Sequence, residues 1–108
     1  MIKAVFKRVS NNLVEFKASG HAGAAESGYD IVCSAVSAST IMIANGITEI
    51  LKISPTIKEK DGFLHINLRK LSEAEIEGCQ VLMETMLLGL KTIEQCYGKY
   101  IKVLVEEV

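Results

Sequence analysis

The stretch GHAGAAESGYDIVCSAVSAST, residues 20–40, decides how this chain is read. Ahead of it, Val14, Phe16 and Ala18 alternate with Glu15, Lys17 and Ser19, the period of a strand with one wet face. Behind it a helical pattern takes over. Ile31, Ala35, Ala38 and Met42 fall on one face, and Val32, Val36, Ile43, Ile47 and Ile50 on another, which predicts a helix over residues 31–51. Between the two periods, residues 22–29 show no regular apolar spacing and include Gly23 and Gly28, so they read as an irregular loop. Asp30 reads as the helix N-cap. Cys33 then falls in the first turn, where unpaired N–H groups and the positive end of the helix dipole favour a thiolate. His21 closes the strand, so a strand–loop–helix turn brings its imidazole back beside the sulfur, a workable Cys–His arrangement.

Working outward, residues 2–9 alternate with Ile2, Ala4 and Phe6 on one face, and Ser10, Asn11 and Asn12 supply turn chemistry before the strand at 13–19. Pro55 ends the connection after the first helix. Strands at 56–60 and 63–68 flank Asp61-Gly62, the strongest short hairpin signal in the chain. The charged run from Lys58 to Asp61 reads as a solvated hairpin tip. Ser72 with Glu75 forms a capping box, with Leu71 and Ile76 placed for a hydrophobic staple. The helix that follows carries Ile76, Cys79, Met83, Met86, Leu87, Leu90, Ile93 and Tyr97 as its apolar stripe, with Gly98 as the expected C′ stop. Residues 100–108 form a last strand, with Ile101, Val103 and Val105 on one face. The class is α+β: a single sheet of about five strands with two helices, in the order β-β-α-β-β-α-β, as one domain over residues 1–108.

The first helix is apolar over most of its surface, and its run of small residues (Ser34, Ala35, Ser37, Ala38, Ser39) admits close neighbours. It is expected to be the central helix, covered by the sheet on one side and by a second helix or a partner subunit elsewhere. A net charge of −1 and a pI near 6.1 argue against a nucleic-acid binder that works by neutralising phosphates. No basic segment precedes an apolar run at the N-terminus, and no uninterrupted apolar run reaches the roughly 18 residues of a membrane span, so a cytoplasmic location is expected. Cys33, Cys79 and Cys96 are an odd count at wide spacing, a poor disulfide framework and a poor zinc site.

Each candidate has a bland reading beside the functional one. Cys33 in an Ala/Ser/Val-rich helix also reads as a small core hydrophobe. His21 also reads as a solvated strand-end residue. Asp30 has sufficient work as a cap, and Ser37, one turn below Cys33, can bond its own helix backbone. Cys79 and Cys96 read as inert, and His65 as a surface residue. A metal site of His21, Glu26 and Cys33 rests on scattered loop residues and is rejected; no cofactor is implied.

The segment GHAG, an acidic loop position and DIVCSAVS together resemble the bacterial ribosomal-processing cysteine protease family, most specifically from Gly20 to Ser37 and in element order over the whole chain. Many members carry an aromatic residue where this chain has Ala24. The resemblance implies a homodimeric endopeptidase that removes the N-terminal extension of large-subunit ribosomal protein number twenty-seven. It implies His21 and Cys33 as the catalytic pair and Asp30 and Ser37 as supporting positions. The glycines Gly20, Gly23 and Gly28 read as a substrate-binding lid that closes over the peptide. The partner is then a ribosomal-protein tail rather than nucleic acid or membrane. A different class also fits: a non-catalytic dimeric assembly factor that clamps such a tail. A thiol redox protein fits less well, because no second cysteine lies near Cys33.

Overall fold

The structure, a computed structural model, describes the backbone of residues 1–20 and 27–108 and the side chains of 1–20 and 30–108. Strands β1 (Ile2–Val9) and β2 (Asn12–Ser19) form an antiparallel hairpin. Helix α1 (Ser27–Asn45) follows and runs into a π-helical turn, Gly46–Ile50. A second hairpin, β3 (Thr56–Lys60) and β4 (Phe63–Asn67), turns at Asp61-Gly62 with Gly62 at a φ of 71°. Helices α2 (Glu73–Gly78) and α3 (Gln80–Tyr97) lead to β5 (Ile101–Glu107). The five strands make one mixed sheet, ordered β3-β4-β2-β1-β5, in which only the β1–β5 pairing is parallel. The α+β class and the element order are as expected.

Alternation builds the core. Ile2, Ala4 and Phe6 on β1, Phe16 and Ala18 on β2, Leu64 and Ile66 on β4, and Ile101 and Val103 on β5 are all buried beneath the helices. Phe6 and Phe16 face each other in register with ring centroids 4.7 Å apart. A bulge between Lys7 and Arg8 leaves Val14 without a register partner on β1, so adjacent Leu13 and Val14 are both buried where simple alternation allows one. The helices contribute Val32, Val36, Ile43 and Ile47 from α1 and its π turn, and Met83, Met86, Leu87 and Leu90 from α3.

Several expectations need correction. Helix α1 starts at Ser27, so Gly28 and Asp30 lie within its first turn; Asp30 is not the N-cap, and Gly28 is not a loop residue. The segment 31–51 ends as a π turn, closed by the Leu51 N–H on the Gly46 carbonyl at 2.9 Å. A Cβ at Gly46 would sit 3.0 Å from Leu82 Cδ1, so a glycine there lets α3 come close. The second helix is interrupted at Cys79, whose N–H is shared between the Glu75 and Ile76 carbonyls. Gly98 ends α3 but is right-handed (φ −59°), not the left-handed residue of a Schellman stop. A Cβ there would sit 3.0 Å from the Glu94 carbonyl oxygen, a tight contact that glycine avoids.

The capping box of Ser72 and Glu75 is present in both directions. The segment Asp30–Ile50, though interrupted by polar residues, is long and apolar enough on average to cross a membrane by length and composition alone. Its inner stripe is spent on the sheet. The outer side leaves Ile31, Met42 and Ile50 exposed rather than buried on most sides.

Candidate functional site

Where β1 begins, β2 ends and β4 starts, the sheet meets the N-terminal half of α1 across a cleft of about 410 Å³. Helix α1 supplies Cys33, Ser37 and Thr40, and the sheet supplies Ser19, Gly20 and Phe63. The hairpin turn closes one side with Lys60, Asp61 and Gly62. The Gly20 N–H donates to the Gly62 carbonyl at 2.9 Å, which extends the β2–β4 ladder by one residue beyond Ser19–Phe63 and fixes the end of β2 against the turn.

Cys33 is half-buried and packs against the core next to fully buried Val32. Helical spacing puts Ser37 one turn further along the same wall, and Thr40 after it. Thr40 is buried; its Oγ1 donates to the Val36 carbonyl at 2.8 Å and the Ser37 carbonyl at 3.3 Å, so its hydroxyl is spent on the helix. Ser37 is exposed to the cleft.

The longer α1 changes the chemistry at Cys33. It is the seventh residue of the helix rather than the third, so its own N–H belongs to the internal ladder and is not free to hold an oxyanion. The Cα–Cβ bonds of a helix tilt toward its N-terminus, which still directs the sulfur back over the turn at Asp30. That turn lies about 4.5 Å along the axis.

Of the other expected site residues, Gly20 lines the cleft, and exposed Asp30 sits in the first turn of α1 outside the cleft lining. His21 and Gly23 lie outside the described residues, as do Ala24 and Glu26. The reading from spacing missed Thr40, Phe63 and the Lys60–Asp61 turn, which was taken as solvated. The register held the signal. Glu59 and Lys60 are opposite Leu64 and Phe63, at the end of β4 that adjoins the end of β2.

The remaining cysteines are separate from the cleft. Cys79 is buried, and its thiol pKa is raised by that burial and by nearby Glu75; Cys96 is exposed. His65 is not a free surface residue. Its Nε2 is 2.9 Å from Glu15 Oε2, and Arg69 Nε is 2.8 Å from Glu15 Oε1. Burial works to raise the Glu15 pKa, but the hydrogen bonds from Arg69 and His65, with Lys7 close by, bring it below its ordinary value.

Comparison with known proteins bears on this arrangement. A family described as Cysteine protease Prp matches residues 1–102. A relative from Bacillus subtilis (strain 168), the ribosomal processing cysteine protease Prp, is 30% identical over 107 residues, covering 95% of this chain and 96% of the relative. Two crystal structures of the ribosomal processing protease Prp from S. aureus are also similar. One, in complex with a substrate peptide, has a TM-score of 0.83 at 29% identity; the other, with a covalently linked product peptide, has 0.81 at 26%. The match covers 98% of this chain and 100% of each of theirs.

Proposed function

The chain belongs to the Cysteine protease Prp family, and from that premise we propose that it is the endopeptidase that removes the N-terminal extension of large-subunit ribosomal protein number twenty-seven, with Cys33 as nucleophile. The observation that carries this is the position of Cys33, half-buried in the wall of a cleft whose opposite wall ends at Gly20, the residue before His21.

In this reading the Cys33 thiolate attacks the scissile carbonyl, forming an S–C bond. The resulting oxyanion is held by N–H groups of the first turn of α1, toward which the sulfur leans, and not by the N–H of Cys33. His21 protonates the departing amine as the C–N bond breaks, then takes a proton from the water that cleaves the thioester. Ser37 faces the same cleft and orients the sulfur or the peptide. Asp30, in the first turn of α1, is assigned a supporting role in orienting His21. Edge strand β3 offers unpaired backbone groups beside the cleft, where Glu59 and Lys60 line it, so an extended peptide pairs there with its side chains in the cleft. Gly20, in the cleft lining, allows the backbone to approach that peptide.

Ile31, Met42 and Ile50, with Val81 and Leu88 on α3, are large exposed apolar side chains on the helix layer. They support a homodimer through that layer. A cytoplasmic location completes the reading, consistent with three cysteines that form no disulfide.

The test is incubation with a peptide spanning the precursor N-terminus, followed by mass spectrometry. A single cut by the wild-type protein and none by Cys33→Ala supports the proposal. Cleavage by both, or by neither, removes it.

A further inference from the structure

The net charge of −1 is a sum over two unlike faces. The strand registers align three rows of side chains across the sheet face that points away from the helices. One row runs Lys60, Phe63, Ser19, Lys3, Lys102; the next runs Lys58, His65, Lys17, Val5, Leu104; the third runs Thr56, Asn67, Glu15, Lys7, Glu106. Six lysines fall in these rows, and Arg69 reaches the same face through Glu15. Glu15 and Glu106 are the only acidic residues in the rows, and Glu15 is already matched by Arg69 and His65. Lys3, Lys17, Lys58 and Lys102 are exposed and make no ion pair among the described residues. The acidic side chains gather instead on the helix side, including Glu73, Glu75 and Glu77 of α2 and Glu84 of α3.

From this sorting we infer that the open face of the sheet docks the phosphate backbone of a single-stranded nucleic acid. The lysines lie on four of the five strands and reach from β3 to β5, a width of about 19 Å at the usual strand spacing. That suits a polymer with repeated charges better than one small anion. Half-buried Phe63, which also lines the cleft, stands between Lys60 and Ser19 in the first row, and a partly open ring beside cations is a surface on which an unpaired base stacks. A membrane surface fits less well, because the face lacks the row of protruding apolar side chains that inserts between headgroups. A net charge of −1 does not by itself exclude such binding, because binding depends on local potential, and the pleat puts alternate residues on opposite faces. This inference rests on the lysine rows and is independent of the proposed protease substrate.

The test is fluorescence anisotropy of a labelled 20-nucleotide oligo(U) RNA and a matching oligo(dT) DNA, from 50 to 200 mM salt. Binding is expected to weaken with salt by about 0.7 logarithmic units per logarithmic unit for each phosphate neutralised. Lys17→Glu/Lys102→Glu should weaken it at least tenfold and flatten the salt slope. Lys52→Glu/Lys91→Glu, which changes net charge equally on the helix side, should have under a third of that effect. None of these lysines lines the cleft, so cleavage of a precursor peptide should be unchanged and serves as the control for folding. If the first pair fails to fold, Lys3→Glu/Lys102→Glu takes its place. Tighter RNA than DNA binding identifies RNA as the source; equal binding leaves the phosphate-backbone assignment in place. No oligonucleotide binding at 50 mM salt, equal losses in both pairs, or binding only to phosphatidylglycerol vesicles would overturn the inference.

Discussion

The Gly20 N–H donates to the Gly62 carbonyl at 2.9 Å. One hydrogen bond thus joins the end of the strand that precedes His21 to a hairpin turn more than 40 residues further along the chain. Gly62 holds that turn at a φ of 71°, where a side chain is strained. Gly62→Ala should therefore cost about 1–2 kcal/mol in urea denaturation. It should also lower kcat/KM more than the stability loss explains, because the turn forms one wall of the cleft. Unchanged peptide cleavage with the stability loss present would show that the turn does not position the site.

Cys33→Ala places a favourable residue in the middle of α1 and removes a half-buried thiol, so the melting temperature should move by only a few degrees. Peptide cleavage should vanish while calorimetric binding of the uncut peptide persists. A non-catalytic clamp would show no cleavage by either protein and similar binding by both.

Iodoacetamide labelling of the native protein, followed site by site, should find Cys33 fastest, Cys96 slower and Cys79 protected. Cys79 is fully buried and its thiol is held above its ordinary pKa by that burial and by Glu75, so labelling there should await unfolding. Rapid native labelling of Cys79 would show that α2 and α3 open locally. Equal rates at Cys33 and Cys96 would count against an activated thiolate.

Gln80 grips the β2 bulge: the Leu13 N–H donates to its Oε1 at 2.7 Å, and its Nε2 donates to the Leu13 carbonyl at 2.8 Å. Gln80→Ala leaves both backbone groups without these partners and should cost about 2–3 kcal/mol, read as a shift in the urea midpoint. Gln80→Glu restores only the acceptor and should recover part of the loss.

Glu15 has a folded pKa below its unfolded value, held there by Arg69 and His65 against the opposing effect of burial. Its contribution to stability is therefore fully present above the ordinary glutamate value of 4.5 and is lost as pH falls through the lower folded pKa. Glu15→Gln should lower stability at pH 7 by about 1–3 kcal/mol and flatten its dependence on pH below 5. An unchanged acid limb would place the acid sensitivity elsewhere.

Local sequence was sufficient for the elements. Period-two alternation at Ile2, Ala4 and Phe6, the Asp61-Gly62 turn and the Ser72–Glu75 box each act within a few residues, so propensity and pattern determine them. The motif from Gly20 to Ser37 was also legible, because a strand end, a glycine-flanked histidine and a cysteine on the next helix are neighbours in the chain. The start of α1 was not legible. Gly28 and Tyr29 carry no apolar period that would mark them as helical, yet α1 begins at Ser27.

The strand order β3-β4-β2-β1-β5 and the parallel β5 were decided by tertiary structure, since a strand's alternation names its buried face and not its neighbour. The same holds for the cleft, where Thr40, Phe63 and the Lys60–Asp61 turn meet across long sequence separations. It holds for the charge as well. Twelve basic and 13 acidic residues sum to a nearly neutral chain, and only the pairing register gathers six of the lysines onto one face.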